Sequence, residues 1–489
     1  MSRCLEGVRS SSRSYGSYTI WVIHIWVIHI SSEIWGSVTH LETAIALDNL
    51  ETEFAALTEA IAAQLLPGEQ FTLGLNAEQS QFVRFNNARV RQTGSIVDCR
   101  AGLTLTAAQR TASWRFPLTG NWDADWAIAA GALADLRADL SSLPVDPYQV
   151  LPSGHATSRE VHQGRLLSPE TVADAVLSDV DGLDFTGIYA GGRLLQAYAD
   201  SVGQRHWFAT DSFSLDYSLF TPDGQAVKGT MAGSEWDRAA YAAKLTDSKQ
   251  QLERLARSPK PIATGGYRVY LAPAALAEIL AMFSWGAVSE SSLQQGESAL
   301  GALQRGDRLL SPLFTLRENF APGLVPRFNN LGEVAPMELP IIEQGKLVNT
   351  LINSRTAKEY NKVANGANSS ESPRSPEVLP GTLPTADVLK ALDTGLYLSN
   401  LHYLNWSDRP TGRITGMTRY ACFWVEQGEI VAPIENLRFD ESLYRCLGHN
   451  LMALTQQAEF IPDVGTYDRR SLGGLWVPGA LVEDFTFTL

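Results

Sequence analysis

Eight histidines are the first place to look for chemistry in this 489-residue chain, because imidazole can ligate a metal or move a proton near neutral pH. They are sparse and poorly grouped. His24 and His29 lie in a tandem Ile-Trp-Val-Ile-His repeat. On a strand that spacing sends them to opposite faces, which argues against a metal pair. His155, His162 and His206 would form a metal site only if the fold gathered them. No histidine stands between His206 and His402. His402 sits in Leu401-His-Tyr-Leu-Asn-Trp-Ser-Asp408, a polar and aromatic segment suited to touching a substrate or partner, or to being a hydrogen-bonded loop. His449, next to Asn450, reads as structural.

Other nucleophile and ligand patterns fare worse. Ser407, His402 and Asp408 are neighbours in sequence, whereas triad members are usually far apart along the chain, and there is no Gly-x-Ser-x-Gly elbow. Gly187 to Gly192 lacks the GxGxxG spacing of a dinucleotide fingerprint. Asp181 and Asp184 lack the other positions of a calcium loop. Arg413 and Arg419 could hold a peptide carboxylate or simply be solvated. The four cysteines, Cys4, Cys99, Cys422 and Cys446, show no CxxC spacing, which suits a reducing, cytoplasmic setting.

The bulk composition narrows the classes further. Asp and Glu number 53 against 39 Lys and Arg, for a net charge of -14, with no basic run. Nucleic acid is therefore excluded as an expected partner, since phosphate contact needs clustered cations. No apolar run approaches the roughly 20 residues a membrane helix needs. Residues 1–40 begin with Arg3, Arg9 and Arg13 before an apolar run. They are expected to be a disordered or mis-annotated extension, with a targeting signal as the alternative.

These residues must be positioned by ordinary elements. A helical pattern runs from Leu41 to Leu66 and stops at Pro67-Gly68. Alternating segments at 71–75, 81–90, 95–101 and 111–117 predict a strand meander. Helices are expected at 123–140, 169–178 and 236–255, with strands at 185–190, 206–211 and 212–220. Ser258-Pro-Lys-Pro261 marks the boundary between an N-terminal α+β domain (41–258) and a C-terminal β-rich domain (262–489). The second half opens with a strand (266–271) running into a helix (272–285). Two Glu-Gln-Gly hairpins follow, at Glu343 and Glu426. Residues 373–384 read as an exposed Pro-rich loop or lid, and 440–456 as a last helix. The fold class expected is α+β: a sheet with helices, then a mainly antiparallel β half.

Several segments together resemble the TldD/PmbA family (modulator of DNA gyrase). They are Phe82-Val-Arg-Phe-Asn-Asn-Ala-Arg-Val-Arg-Gln, then Glu343-Gln-Gly-Lys-Leu through Ser354-Arg-Thr-Ala-Lys with Asn365-Gly-Ala-Asn. The third is Thr415-Gly-Met-Thr-Arg-Tyr-Ala-Cys-Phe-Trp-Val-Glu-Gln-Gly-Glu-Ile with Pro433-Ile-Glu-Asn-Leu. The match runs from about Leu41 to Leu489. The resemblance implies two kinds of subunit. One carries HExxxH on the helix that follows the opening strand of the second half, with a C-terminal cysteine as third zinc ligand. The other lacks them and pairs with the first.

Here that helix reads Pro273-Ala-Ala-Leu-Ala-Glu-Ile-Leu-Ala-Met-Phe-Ser-Trp-Gly, with no histidine or cysteine, and Ser471 to Gly474 replaces the cysteine region. Glu278 reads as an ordinary helix residue. The resemblance therefore implies a metal-free subunit of a metallopeptidase complex acting on small or unfolded peptides. The zinc would reside in an HExxxH-bearing paralogue. The alternative is a homodimeric peptide-binding module without hydrolysis. No catalytic or metal residue is expected in this chain. The candidate peptide or partner contacts are His402, Tyr403, Asn405, Trp406, Arg413, Arg419 and Trp424, and core packing is the competing explanation for the three aromatics among them.

Overall fold

The computed structural model describes residues 49–488, so the expectations for residues 1–40, including the repeat with His24 and His29, lie outside the described residues. The described residues form one compact unit.

The first half is a sheet with helices on one face. Helix α1 (Leu50–Ala62) buries Leu50, Phe54, Leu57 and Ile61, the stripe its sequence spacing dictates. Helix α2 (Trp122–Leu140) starts where the Asn121 side chain accepts the Ala124 N–H. Both pack on the strands β1 (Gln70–Asn86), β2 (Arg89–Ala107) and β3 (Arg110–Pro117). The sheet continues with β4 (Thr157–His162), β5 (Asp184–Asp200), β6 (Arg205–Phe220) and β7 (Ala226–Gly233). Its order is β3-β2-β1-β5-β6-β4, with β7 on β6. Helices α3 (Val172–Leu177) and α4 (Arg238–Leu255) cover Tyr189, Phe213, Leu215 and Tyr217 on the face that also carries α1 and α2.

The strands are longer than the sequence pattern suggests. The expected break after Leu75 is absent, because Glu78 and Ser80 are buried in β1 rather than solvated in a turn. The turn falls instead at Asn87-Ala88, where both residues take positive φ. Likewise 206–211 and 212–220 form the single strand β6.

The second half is built around β8 (Gly265–Leu271), which feeds α5 (Pro273–Ala281). The strands that follow are β9 (Leu316–Asn319), β10 (Glu338–Glu343), β11 (Lys346–Leu347), β12 (Pro376–Val378) and β13 (Gly395–Asp408). After these come β14 (Arg413–Glu426), β15 (Glu429–Pro433), β16 (Arg438–Ser442), β17 (Leu451–Pro462) and β18 (Gly474–Phe487). The path β18-β16-β14-β13-β8 returns to β18 through β8–β18 pairing, so these strands close a ring. Pairing is mostly antiparallel, with β8–β13 and β12–β18 parallel. The architecture is α+β. Both Glu-Gln-Gly hairpins are present, with positive φ at Gln344-Gly345 and Gln427-Gly428. Among the described residues no helix is long and apolar enough to cross a membrane.

Two expectations are overturned. Residues 440–456 are not a helix: the chain forms β16, one wide turn at Arg445–His449, and then β17. Leu443, Leu447, Leu451 and Leu454 have helical spacing, but Gly448 takes a non-helical conformation and the residues beyond it pair with β18. Residues 373–384 are not an exposed lid either. Their strand β12 lies between β9 and β18, and Val378 is fully buried. Arg374 anchors the segment by donating to the carbonyls of Pro326, Arg327, Phe328 and Gly366, while its own N–H and that of Ser375 donate to Glu318.

Candidate functional site

The candidate contacts all fall on the β13–β14 hairpin, but not at one point. His402 pairs with Met417, and Asn400 with Arg419. The His402 and Tyr403 rings lie 4.0 Å apart, and the Arg419 guanidinium lies 5.1 Å from the Tyr420 ring. The His402 pKa is lowered by partial burial and by nearby Arg419. The register shifts on both sides of this point, between Leu398 and Asn400 and between His402 and Asn405. Tyr403 and Tyr420 both have positive φ, 54° and 63°. An aromatic residue held in the left-handed region is strained, and such strain concentrates at working surfaces. Tyr403 is also 76% exposed.

Farther along the hairpin, the Trp406 N–H donates to the Asn405 side chain, and the Trp406 indole Nε1 is buried without a partner. Arg413 pairs with Asp440 at 2.7 Å, and Ser407 donates to the same carboxylate. Ser407, His402 and Asp408 therefore make no triad. Trp424 stands opposite Leu396, six strand residues from His402, or about 20 Å. There it packs edge-on to Tyr267, lies beneath Lys260 and donates to Glu426, so it joins strand to linker. His449 is exposed at the end of the wide turn.

The histidines of the first half do not converge. His155 bonds the Val202 carbonyl, His206 bonds Ser158, and His162 lies near Glu160 and Phe208. Among the described residues no three His, Cys, Asp or Glu side chains are gathered as a metal site. Gly187 and Gly192 serve close strand approach: a Cβ on Gly192 would meet the Gln79 carbonyl at 2.0 Å.

Sequence reasoning passed over a second region, where the loop between β17 and β18 meets the first half. Arg470 is buried there, and its guanidinium donates to Ser80 Oγ, the Gly192 carbonyl, and the Ser212 carbonyl and Oγ. Its N–H donates to buried Glu78. In sequence Arg470 lies in a polar Asp-Arg-Arg-Ser run that looks solvated. The small cavity beside it, lined by Ser212, Ser214, Ala232, Arg470 and Ser471, measures ≈ 30 Å³. That is room for about two waters, not for a peptide residue. Nearby, α5 packs on β13 and β18 with Leu276, Ile279 and Leu280 buried. Its one carboxylate, Glu278, keeps solvent access. Partial desolvation raises its pKa, opposed by Lys228 of β7.

With this geometry in view, the comparisons with known proteins can be placed. Residues 264–489 match the family described as the PmbA/TldA metallopeptidase C-terminal domain. This stretch of the chain is similar to the C-terminal domain of that family. Beyond it, solved structures share the fold over most of the chain. A DNA gyrase modulator from Thermotoga maritima matches 89% of this chain and 100% of its own length, with a TM-score of 0.70 and 16% identity. TldE from Thermococcus kodakarensis matches 89% and 100%, with 0.73 and 13%. A DNA gyrase modulator from Bacteroides thetaiotaomicron matches 90% and 99%, with 0.71 and 14%. At such identities the likeness is one of fold. No curated protein matches the chain.

The residues at the two places where the TldD/PmbA resemblance puts zinc ligands do not fit that ion. Zinc is held by three nitrogen, sulfur or carboxylate donors. Helix α5 offers only Glu278, and residues 471–474 offer only the hydroxyl of Ser471, beside the buried Arg470 guanidinium.

Proposed function

We propose that this chain is a non-catalytic, metal-free subunit of a TldD/PmbA-type metallopeptidase complex. In this reading an HExxxH-bearing paralogue in the same cytoplasm supplies the zinc and the hydrolysis. This chain holds the partner and helps position a small or unfolded peptide. The observation that carries the proposal is α5: it follows β8, buries Leu276, Ile279 and Leu280 against the core, and lacks any nitrogen or sulfur donor. The strained, exposed Tyr403 with His402 and Arg419 is the proposed contact surface.

The test is affinity purification of the tagged chain from its own cells, followed by mass spectrometry. Recovery of an HExxxH-bearing relative in equal amount is the expected result. Recovery of this chain alone, at homodimer size, overturns the subunit reading in favour of a self-contained peptide-binding dimer.

A further inference from the structure

Strand β2 is paired along its whole length on one side and along only half of it on the other. β1 pairs with residues from Arg89 to Thr106, whereas β3 reaches only Arg100 to Ala107. The outer edge of residues 89–98 has no strand partner among the described residues. Residues 89–97 are exposed without exception. A free edge presents alternating N–H and C=O groups that will pair with any extended chain. Folded proteins usually blunt such edges with proline, charge or brevity. This edge has none of these between Gln92 and Val97, and it spans about 30 Å. Val90, Ile96 and Val97 are 41%, 46% and 41% exposed.

The charges at its end point to a partner. Arg84, Arg89 and Arg91 are exposed beside the β1–β2 turn, and none makes an ion pair among the described residues. Arg91 is left out of the register, which passes from Arg84–Gln92 to Phe85–Val90, so it is the extra residue of a bulge. On a chain of net charge -14, three uncompensated cations side by side are a local exception. At the other end Asp98 is already neutralised by Arg100 at 3.0 Å.

We propose that the free edge of β2 receives an extended acidic segment of a partner polypeptide as an added strand. Backbone hydrogen bonds to residues 89–98 supply the pairing. Arg84, Arg89 and Arg91 select acidic side chains and set the direction, with the acidic end over the turn. This does not depend on whether a zinc-bearing subunit exists.

The experiment uses the full chain and three labelled probes followed by fluorescence anisotropy: peptides of alternating Glu and Val, of alternating Lys and Val, and of a repeated Glu-Glu-Pro-Pro unit. The last, the Glu-Pro peptide, has the charge of the first but lacks half the N–H groups on either strand edge. Hydrogen exchange of residues 89–98 is followed in parallel. The expected result is binding of the Glu-Val peptide alone, weakened by salt, with slowed exchange of alternate amides. The double variant Arg89→Glu/Arg91→Glu, at exposed positions where folding is little affected, should weaken binding by about tenfold, as expected for two surface charge contacts. Equal binding of the Glu-Pro peptide, no binding of any probe, or no change in the 89–98 amides on binding overturns the proposal. So does protection of those amides without a probe that rises with protein concentration, because the edge is then an interface between copies.

Discussion

The backbone N–H of Arg470 donates to the carboxylate of Glu78 at 3.0 Å, across 392 positions of sequence. This contact, with the four bonds from the Arg470 guanidinium, joins the β17–β18 loop to the middle of the N-terminal sheet. It explains why polar Glu78 and Ser80 lie inside a continuous strand.

Replacing Arg470 should therefore loosen the joint between the halves. Arg470→Ala strands several buried acceptors and is expected to cost about 3 kcal/mol. Arg470→Lys should recover little, since an ammonium cannot reach acceptors on three strands in the guanidinium geometry. Thermal denaturation and limited proteolysis within residues 463–473 check both. Unchanged stability in Arg470→Ala would contradict the account.

Tyr403 should separate stability from contact. Its positive φ suits glycine better than an aromatic side chain. Tyr403→Gly is expected to leave stability unchanged or raise it by up to about 1 kcal/mol, while reducing recovery of the partner in the affinity experiment. Loss of stability together with full partner recovery would mean that the side chain serves packing.

Glu69 gives a pH dependence with a definite sign. The Arg137 guanidinium, 2.8 Å away, holds its carboxyl below the usual range. A lowered folded pKa means that the stabilisation is fully present above the unfolded value near 4.5 and is lost as pH falls through the folded value. Glu69→Gln is expected to cost about 1 kcal/mol at neutral pH, a value kept small by solvent screening. The melting curves of variant and parent should converge at acidic pH; a constant difference across the range would contradict the ion pair.

The three cysteines of the described residues should be inert in the native state. Cys99, Cys422 and Cys446 are buried, and burial pushes their thiols up, Cys99 to about 12. Only the thiolate reacts. A thiol reagent at mildly alkaline pH should label these three slowly until denaturant is added. Fast labelling of any of them in the folded chain would contradict their burial.

The two Glu-Gln-Gly turns can be improved. Gln344 and Gln427 take positive φ of 47° and 52° at the first turn position, where asparagine is at less disadvantage. Gln427→Asn is expected to raise stability by a few tenths of a kcal/mol, with no change in partner recovery. Thermal denaturation that shows a loss would point to a side-chain role for Gln427.

Much of this was legible in the sequence, because it depends on local chemistry. Apolar spacing marks α1, and Glu-Gln-Gly marks the two hairpins. An α5 without histidine is visible as a string of letters, since ligand identity needs no geometry. Other features were settled only by distant partners. Residues 440–456 have helical spacing, yet β18 claims the second part as a strand. Residues 373–384 have the composition of a loop, yet Arg374 and Glu318 bury their start. The candidate contacts are close in sequence, but an extended strand separates Trp424 from His402, while bulges bring His402, Tyr403 and Arg419 together. Whether a polar residue is solvated or buried, as with Arg470 and Glu78, depends on a partner hundreds of residues away. Hydrogen-bond satisfaction in the interior is a property of the assembled chain, and only the tertiary structure decides it.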